Sequence, residues 1–373
     1  MWIRFIYILF VLSFLNALFR RYIGELNFNF FLYILYFFTT VFGLLSLFSF
    51  RHSLREFKAI FIVTAFSVIY VLSVSYTISN TSYDKIILIG LLPFYVLCAL
   101  GAVHIDRDLK LLFSVWFCVL TLYTIYAIYI LIQENFIFST FYKRLDIIDY
   151  LTYSLLALSF SLYSLIFSKN ILFKLGTIVF FSFSLISGAR APVVFFLLLL
   201  FYWIVKKRMY SYVFISMILI TGLFFLYWDE LNMLIEFAFI RFSSFGEDNS
   251  TSERVSFLEK SLNSFLEYPL FGQGINSSGL ILIGIDEKEY PHNFLLEILI
   301  EIGILGIIPM LCYLLLMVEP LLFKRRKFNN MQLFLSAICI FIFANFMKSF
   351  SIIDLKYLLF FLTYFASYNK LYL

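Results

Sequence analysis

The sequence has little charge for its length. Only 14% of its 373 residues are charged and 63% are hydrophobic, whereas soluble domains average about 25% charged and about 45–50% apolar residues. Apolar runs recur along the whole chain, and each approaches the ~20 residues that cross a bilayer. A soluble core could not bury so many such runs. The composition therefore predicts an all-α, polytopic integral membrane protein.

Cysteine is also scarce, and several familiar motifs are missing. The four cysteines all lie inside apolar runs and none belongs to a CxxC pair: Cys98, Cys118, Cys312 and Cys339. This placement argues against a disulfide framework and against a zinc site. The sequence has no P-loop, no dinucleotide-binding Gly-x-Gly-x-x-Gly and no Gly-x-Ser-x-Gly nucleophile elbow.

Twelve apolar runs predict about twelve transmembrane helices in a single membrane domain, 1–373. No small-residue cleavage site precedes Arg20-Arg21, so we expect the first run to remain as a span. Charged residues interrupt the last two runs. The predicted spans are 2–19, 28–50, 59–78, 86–103, 111–132, 150–168, 172–187, 191–206, 211–228, 292–318, 333–348 and 353–369.

The short loops differ in basic residues, which predicts the orientation. One set of loops holds 14 Lys and Arg residues and the opposite set holds 8. The richer set faces the cytoplasm in most membrane proteins. We therefore expect both termini inside and the long loop 229–291, between predicted spans 9 and 10, outside. That loop has 11 acidic and 4 basic residues, a net charge of −7, which argues against nucleic acid as a partner.

The long loop contains one predicted amphipathic helix. Ser250-Thr-Ser-Glu253 has the spacing of a helix capping box, and Pro269 ends the pattern. Between them apolar residues recur at helical spacing: Val255, Leu258, Leu262, Phe265 and Leu266. We expect a helix from about 251 to 267 that lies on the outer membrane surface or over the mouth of the bundle.

Three residues on the outer side have the chemistry of a reactive site: His292, Arg190 and Arg254. His292 follows Pro291 at the start of a predicted span, where it could act as a base or only bond a loop carbonyl. Arg190 lies in a short outer turn, with no Asp or Glu between Asp149 and Asp229. It could hold an anionic ligand or reach the lipid headgroups.

Arg254 falls in the predicted first turn of the loop helix, where a cation opposes the helix dipole. No acidic residue lies three or four positions away, so a bound anion would explain it, as an alternative to a solvated arginine. Arg144, in the outer loop 133–149, is a weaker candidate. Glu297 and Glu301 lie one helical turn apart and could orient His292 or pair with Lys348 and Lys356. Structural pairing is the preferred interpretation for Glu301.

Three motifs follow one another on the outward side of the predicted bundle. They are Ser187-Gly-Ala-Arg-Ala-Pro192, then Glu253-Arg-Val with Tyr268-Pro-Leu-Phe-Gly-Gln-Gly274, then Tyr290-Pro-His-Asn-Phe-Leu-Leu-Glu297 with Glu301-Ile-Gly-Ile-Leu-Gly306. In this order they resemble the O-antigen polymerase and O-antigen ligase superfamily of bacterial envelope glycosyltransferases. The resemblance covers about 187–310. Family sequences often have Ser or Gly beside the first arginine, whereas both neighbours of Arg190 are alanine.

The resemblance implies a reaction at the periplasmic face of the bacterial inner membrane. A glycan moves from undecaprenyl diphosphate to a sugar hydroxyl without a metal or an organic cofactor. It implies that Arg190 and Arg254 hold the diphosphate and that His292 is the base. Gln273, Tyr290 and Asn293 would orient substrate. The implied partners are the lipid-linked oligosaccharide, membrane lipids, a chain-length regulator and a flippase.

Three functions remain open from the sequence. A repeat-unit polymerase uses a lipid-linked acceptor, and the second and third motifs favour it. A ligase transfers the glycan to lipid A core. A glycolipid flippase, the third alternative, predicts internal repeats and charges in both leaflets, and no repeat is visible.

Overall fold

A computed structural model describes residues 2–15, 18, 25–80, 83–133, 150–186, 189–207, 249–287, 289–323 and 328–371. Every regular element in these ranges is a helix. Two short 3-10 helices, Ser73–Ser75 and Ile352–Leu355, accompany the α-helices. The α-helices are α1 Trp2–Ser13, α2 Glu25–Ser49, α3 Leu54–Leu72, α4 Tyr83–Gly90, α5 Leu92–Ile105, α6 Lys110–Gln133, α7 Tyr150–Phe167, α8 Ile171–Ile186, α9 Arg190–Lys207, α10 Asn249–Glu267, α11 Ser278–Ile283, α12 Phe294–Phe323, α13 Asn330–Phe346 and α14 Lys356–Leu371.

Eleven of the twelve predicted spans coincide with described helices, and predicted span 9 (211–228) lies outside the described residues. Within the described ranges, six helical segments are long and apolar enough to cross a membrane: 29–49, 54–75, 84–105, 110–130, 150–167 and 294–319. Four further apolar helices are shorter. The all-helical membrane class is thus confirmed, and the count of about twelve spans stays a prediction.

The chain forms two compact units, residues 1–119 with 253–373 and residues 120–252. In the first unit α3 packs against α12, and α5 packs against both α2 and α14. Its core is largely aromatic. Phe14 lies 5.5 Å from the ring of Tyr95, 6.2 Å from Trp116 and 5.0 Å from Phe360, all edge to face. Edge-to-face pairs add specificity to apolar burial, so Phe14, which directly follows α1, fixes the end of that helix against three other helices.

The second unit is built on α7, which packs against α8 and α9. Phe160 on α7 contacts Phe173 and Phe180 of α8 at 5.2 and 5.5 Å. The hydroxyl of Thr124 lies 2.7 Å from that of Tyr153. Small buried serines on α7 allow its neighbours to approach closely, as is common between helices in membranes.

The predicted loop helix is confirmed as α10, which begins at Asn249, about two residues before the prediction, and ends at Glu267. Arg254 is therefore its sixth residue and lies in the second turn. The helix dipole acts over the terminal turn, so it opposes a cation at position 254 less than the sequence predicts.

Helix α12 is broken at Gly303, whose φ is 59° and ψ is −150°. The segment 269–274 fills the break by exchanging backbone hydrogen bonds with both halves of the helix. The four bonds join Gln273 N to Ile300 O (2.8 Å), Gly274 N to Glu301 O (2.8 Å), Ile304 N to Pro269 O (2.9 Å) and Leu305 N to Leu270 O (3.3 Å). In an unbroken helix the amides of 304 and 305 would bond the carbonyls of 300 and 301.

Two glycines make this close approach possible. A Cβ on Gly303 would lie 2.6 Å from the carbonyl oxygens of Pro269 and Leu270, and one on Gly272 would lie 2.5 Å from Ile300 O. Both residues also have positive φ, which glycine adopts without steric cost. The second and third sequence motifs are thus joined through their backbones.

Candidate active site

His292 lies in the turn immediately before α12, between two aromatic rings. The ring of Phe257, from α10, is nearly parallel to the imidazole at 6.3 Å, and the ring of Tyr290 meets it edge-on at 4.8 Å. Phe257 is 3% exposed and belongs to a small apolar cluster with Leu282 and Ile300. The structure therefore brings the third motif directly against the helix that carries the second.

The backbone of His292 has a φ of 55°, which is uncommon for a residue with a side chain. Such a conformation costs on the order of 1–3 kcal/mol and persists where surrounding contacts impose it. The imidazole Nδ1 is enclosed, and it has no hydrogen-bond partner within the described part of the chain. An enclosed nitrogen without a partner is costly, and strain together with this cost is typical of a functional position.

Burial lowers the pKa of His292 to about 4, and the positive charge of Arg254 contributes to the decrease. Both effects disfavour the imidazolium. The side chain is therefore neutral at physiological pH and able to accept a proton. The effect of Arg254 also indicates that its guanidinium lies close enough to His292 to act on it.

Arg254 is half-buried, one helical turn before Phe257. That spacing places it on the same side of α10 as the ring that covers His292. Two of the three residues predicted to act together therefore lie in the same region of the structure.

Arg190 is the first residue of α9. Its side chain lies outside the described residues, and so does the whole of Arg144. Their predicted contacts with an anion remain predictions.

The side chains predicted to orient substrate are bonded within the protein. Tyr290 donates its hydroxyl to Ser349 O at 3.3 Å, and its ring contacts the imidazole. Asn293 caps α12, since its side-chain oxygen accepts from the amides of Leu295 (2.9 Å) and Leu296 (3.2 Å).

The amide nitrogen of Gln273 donates to Ser264 Oγ on α10 at 3.0 Å. Its backbone amide is one of the four that bond across the break in α12. Gln273, Tyr290 and Asn293 thus hold the elements around His292 in place, and a direct contact of any of them with substrate stays a prediction.

Glu297 and Glu301 share one cation, Lys85 of α4. The ammonium lies 2.6 Å from Glu297 Oε1 and 2.7 Å from Glu301 Oε1, and all three side chains are at most 6% exposed. The sequence suggested either orientation of His292 or pairing with Lys348 and Lys356, and it did not suggest Lys85. Lys85 lies more than 200 positions before either glutamate, which explains why local spacing did not identify it.

Further donors complete the coordination of both carboxylates. Glu297 accepts from Ser351 Oγ at 2.9 Å and from the amide of Ile352 at 2.8 Å. Glu301 accepts from Ser278 Oγ at 2.9 Å and from the hydroxyl of Tyr70. Each carboxylate thus has three donors, which offsets the cost of burying charge. The cluster joins α3, α4, α11, α12 and the 3-10 helix 352–355 behind the turn that carries His292.

No group of three or more His, Cys, Asp or Glu side chains with metal-binding geometry occurs among the described residues. The residues that the structure brings together are one arginine and one neutral histidine. This pair can bind an anion and accept a proton.

Fold and site together define a multi-helical membrane protein with a histidine–arginine pair at one end of a candidate spanning helix. Residues 175–311, which are 137 of the 373, match the family model described as O-antigen ligase. This match supports the O-antigen ligase and polymerase superfamily and confirms the predicted resemblance. Family members are glycosyltransferase-like enzymes, and the matched segment contains Arg190, Arg254 and His292. No curated protein and no solved structure matches the chain.

Proposed function

We propose that the protein is a repeat-unit polymerase that transfers a glycan from undecaprenyl diphosphate to the sugar hydroxyl of a lipid-linked acceptor at the periplasmic face of the inner membrane. The observation that carries this proposal is the packing of Phe257 on His292, which brings α10 and its Arg254 towards a histidine that burial keeps neutral. Glycosyl transfer from a diphosphate carrier needs both a cation for the leaving group and an acceptor for the hydroxyl proton.

In the proposed reaction the acceptor oxygen forms a bond to the anomeric carbon of the donor glycan. The bond between that carbon and the diphosphate oxygen breaks, and undecaprenyl diphosphate leaves with the bonding electrons. His292 takes the hydroxyl proton. Arg254, joined by Arg190, offsets the negative charge that grows on the leaving group. These roles need no metal ion and no organic cofactor.

The donor would also complete the site electrostatically. Burial is the main cause of the low pKa of His292 and the positive charge of Arg254 is the second, and a diphosphate bound at Arg254 offsets that charge. Since a neighbouring anion favours the imidazolium, the histidine becomes a stronger base when the donor is present. The proposed site thus gains basicity when a substrate is there to use it.

A ligase that transfers the glycan to lipid A core is the second candidate, and the description of the matching family favours it. The two functions differ only in the acceptor. A flippase and a chain-length regulator are expected partners of the polymerase.

The glycan profile of a deletion strain distinguishes the two. A polymerase predicts lipopolysaccharide that carries a single repeat unit, whereas a ligase predicts bare core. Complementation with the wild-type gene should restore long chains. Arg254→Ala should fail to restore them while remaining in the membrane, and Arg254→Lys should restore them poorly because lysine lacks the bidentate guanidinium. Full complementation by Arg254→Ala would remove the basis of the proposal.

A further inference from the structure

Helix α10 has an exposed apolar stripe on the side away from His292. Val255 is 54% exposed, Leu258 44%, Leu262 43% and Leu266 73%. Their spacing of three or four residues places them in one row along the helix. Burial of leucine-sized side chains is worth about 1.5–3 kcal/mol each, so a row of four exposed ones is unfavourable in water.

The other two faces of α10 differ from this stripe. Phe257, Ser261 and Ser264 are at most 5% exposed and pack on the protein. Glu259, Asn263 and Glu267 are exposed and polar. The helix therefore has a protein-facing side, a polar side and an apolar side, a combination typical of helices that lie at a membrane surface.

The apolar stripe continues into the exposed surface of a candidate membrane span. After α10 the chain reaches Leu270, which is 57% exposed and accepts a hydrogen bond from the amide of Leu305 in α12. From there an exposed apolar row continues along α12: Leu305, Ile308, Leu311 and Leu315. This row belongs to the segment long and apolar enough to cross the bilayer, so the stripe adjoins a surface that faces lipid.

The length of the second half of α12 gives the depth at which the stripe of α10 meets α12. The half of α12 after the break has 20 residues, Ile304–Phe323, and the basic run Lys324–Lys327 follows it. At about 1.5 Å per residue, 20 residues span about 30 Å, the thickness of the hydrocarbon layer. With the basic run at one surface, the break at Gly303 lies near the other boundary between hydrocarbon and headgroups.

We propose that α10 is an interfacial membrane helix. Its stripe of Val255, Leu258, Leu262 and Leu266 contacts the acyl chains of the leaflet on the His292 side. The occupant is the bilayer and not one lipid tail, because a bound tail is held in a cleft that covers most of it, whereas these side chains form an open surface.

This placement has a consequence for Arg254. It lies three residues before Phe257 and four before Leu258, and hence at the border between the protein-facing side and the stripe. Its guanidinium is thereby held at the level of the lipid phosphates. That depth would suit a lipid-linked diphosphate, a point that rests on the proposed function, whereas the docking of the helix does not.

Site-directed spin labelling of the full-length protein tests the docking. Cysteine is introduced at Leu258, Leu262 or the adjacent polar position Asn263, in a background with the four native cysteines replaced. The labelled protein is reconstituted in vesicles of phosphatidylethanolamine and phosphatidylglycerol. Collisions are then measured with dissolved oxygen, which concentrates in hydrocarbon, and with a water-soluble nickel chelate.

Labels at 258 and 262 should collide more with oxygen than with the chelate, and the label at 263 should show the reverse. The docking is wrong if positions 258 and 262 are as accessible to the chelate as position 263, or if their spectra show immobilisation in protein contacts. Each cysteine variant is also required to restore long chains in cells. Restoration of long chains by Arg254→Ala would overturn the proposed function. The collision measurements that test the docking of α10 would be unaffected.

Discussion

At the scale of single residues, His292 combines a positive φ with an imidazole that is shielded and uncharged. This combination allows the role of the backbone and the role of the side chain to be tested separately. Glycine adopts this conformation freely, so His292→Gly should relieve the backbone strain while removing the base.

We expect His292→Gly to accumulate in the membrane at least as well as His292→Ala. Both variants should lower transfer by about 10²–10⁴-fold, the usual value of general-base assistance. Quantitative blotting and polymer length measure the two effects. Near-normal polymer from either variant would show that another group is the base.

The pH dependence of transfer should depend on whether the donor is bound. In the free protein the pKa of His292 is about 4, so kcat/KM should fall only as the pH approaches that value. The bound diphosphate offsets Arg254 and raises the pKa, so kcat should fall at a higher pH. An ordinary histidine, as the sequence alone suggests, would titrate near 6.5.

Initial rates at low and at saturating donor concentration, measured between pH 3.5 and about 8, test whether kcat falls at a higher pH than kcat/KM. Coincident acid limbs for kcat and kcat/KM would contradict an interaction between the donor and the pair of Arg254 and His292.

At the scale of structural elements, the broken helix α12 depends on glycine at its break. Gly303→Ala would place a Cβ 2.6 Å from two carbonyl oxygens and force alanine into a positive φ. We expect the segment 269–274 to detach, with the loss of up to four backbone hydrogen bonds and of polymer. Gly90→Ala is the matched control, because nothing lies within 4 Å of the added Cβ and no positive φ is involved.

The test measures the midpoint of thermal unfolding in detergent, together with polymer length. Gly303→Ala should lower both, and Gly90→Ala should change neither. If the two variants behave alike, the backbone pairing at the break does not contribute to the fold or the site.

The buried cluster of Lys85, Glu297 and Glu301 should act as one unit. Lys85→Met leaves two carboxylates without their shared cation, and breaking a buried ion pair typically costs about 3–5 kcal/mol. The triple variant with Glu297→Gln and Glu301→Gln removes all three charges, so it should be more stable than Lys85→Met alone. Lys169 is exposed on the surface, so Lys169→Met should leave the stability unchanged.

Thermal unfolding of the four purified proteins gives the comparison. Equal midpoints for Lys85→Met and the wild type would show that the ammonium is not needed to balance the carboxylates.

At the scale of the whole molecule, the distribution of basic residues predicts that the loop 229–291 faces the periplasm. The split of 14 to 8 Lys and Arg residues supports this orientation. Asp248→Cys should react with an impermeant thiol reagent in cells whose outer membrane is permeabilised. Labelling that requires lysis of the inner membrane would reverse the topology and place His292 in the cytoplasm.

The sequence by itself determined the class of protein and most of its helices. Composition was sufficient because a bilayer imposes the same length and polarity on every span. Eleven predicted spans and the loop helix correspond to described helices for that reason. The sequence also singled out His292 and Arg254 as candidates, because a charge or a histidine at a membrane boundary differs from its apolar surroundings.

Only the tertiary structure decided how these parts combine. It brought Phe257 against His292, paired Lys85 with two distant glutamates and placed the segment 269–274 in the break of α12. Such contacts join residues from about 30 to more than 200 positions apart, and they depend on close packing and backbone hydrogen bonds. Local periodicity records which residues share a face of one helix. It contains no information about which face of another helix will meet it.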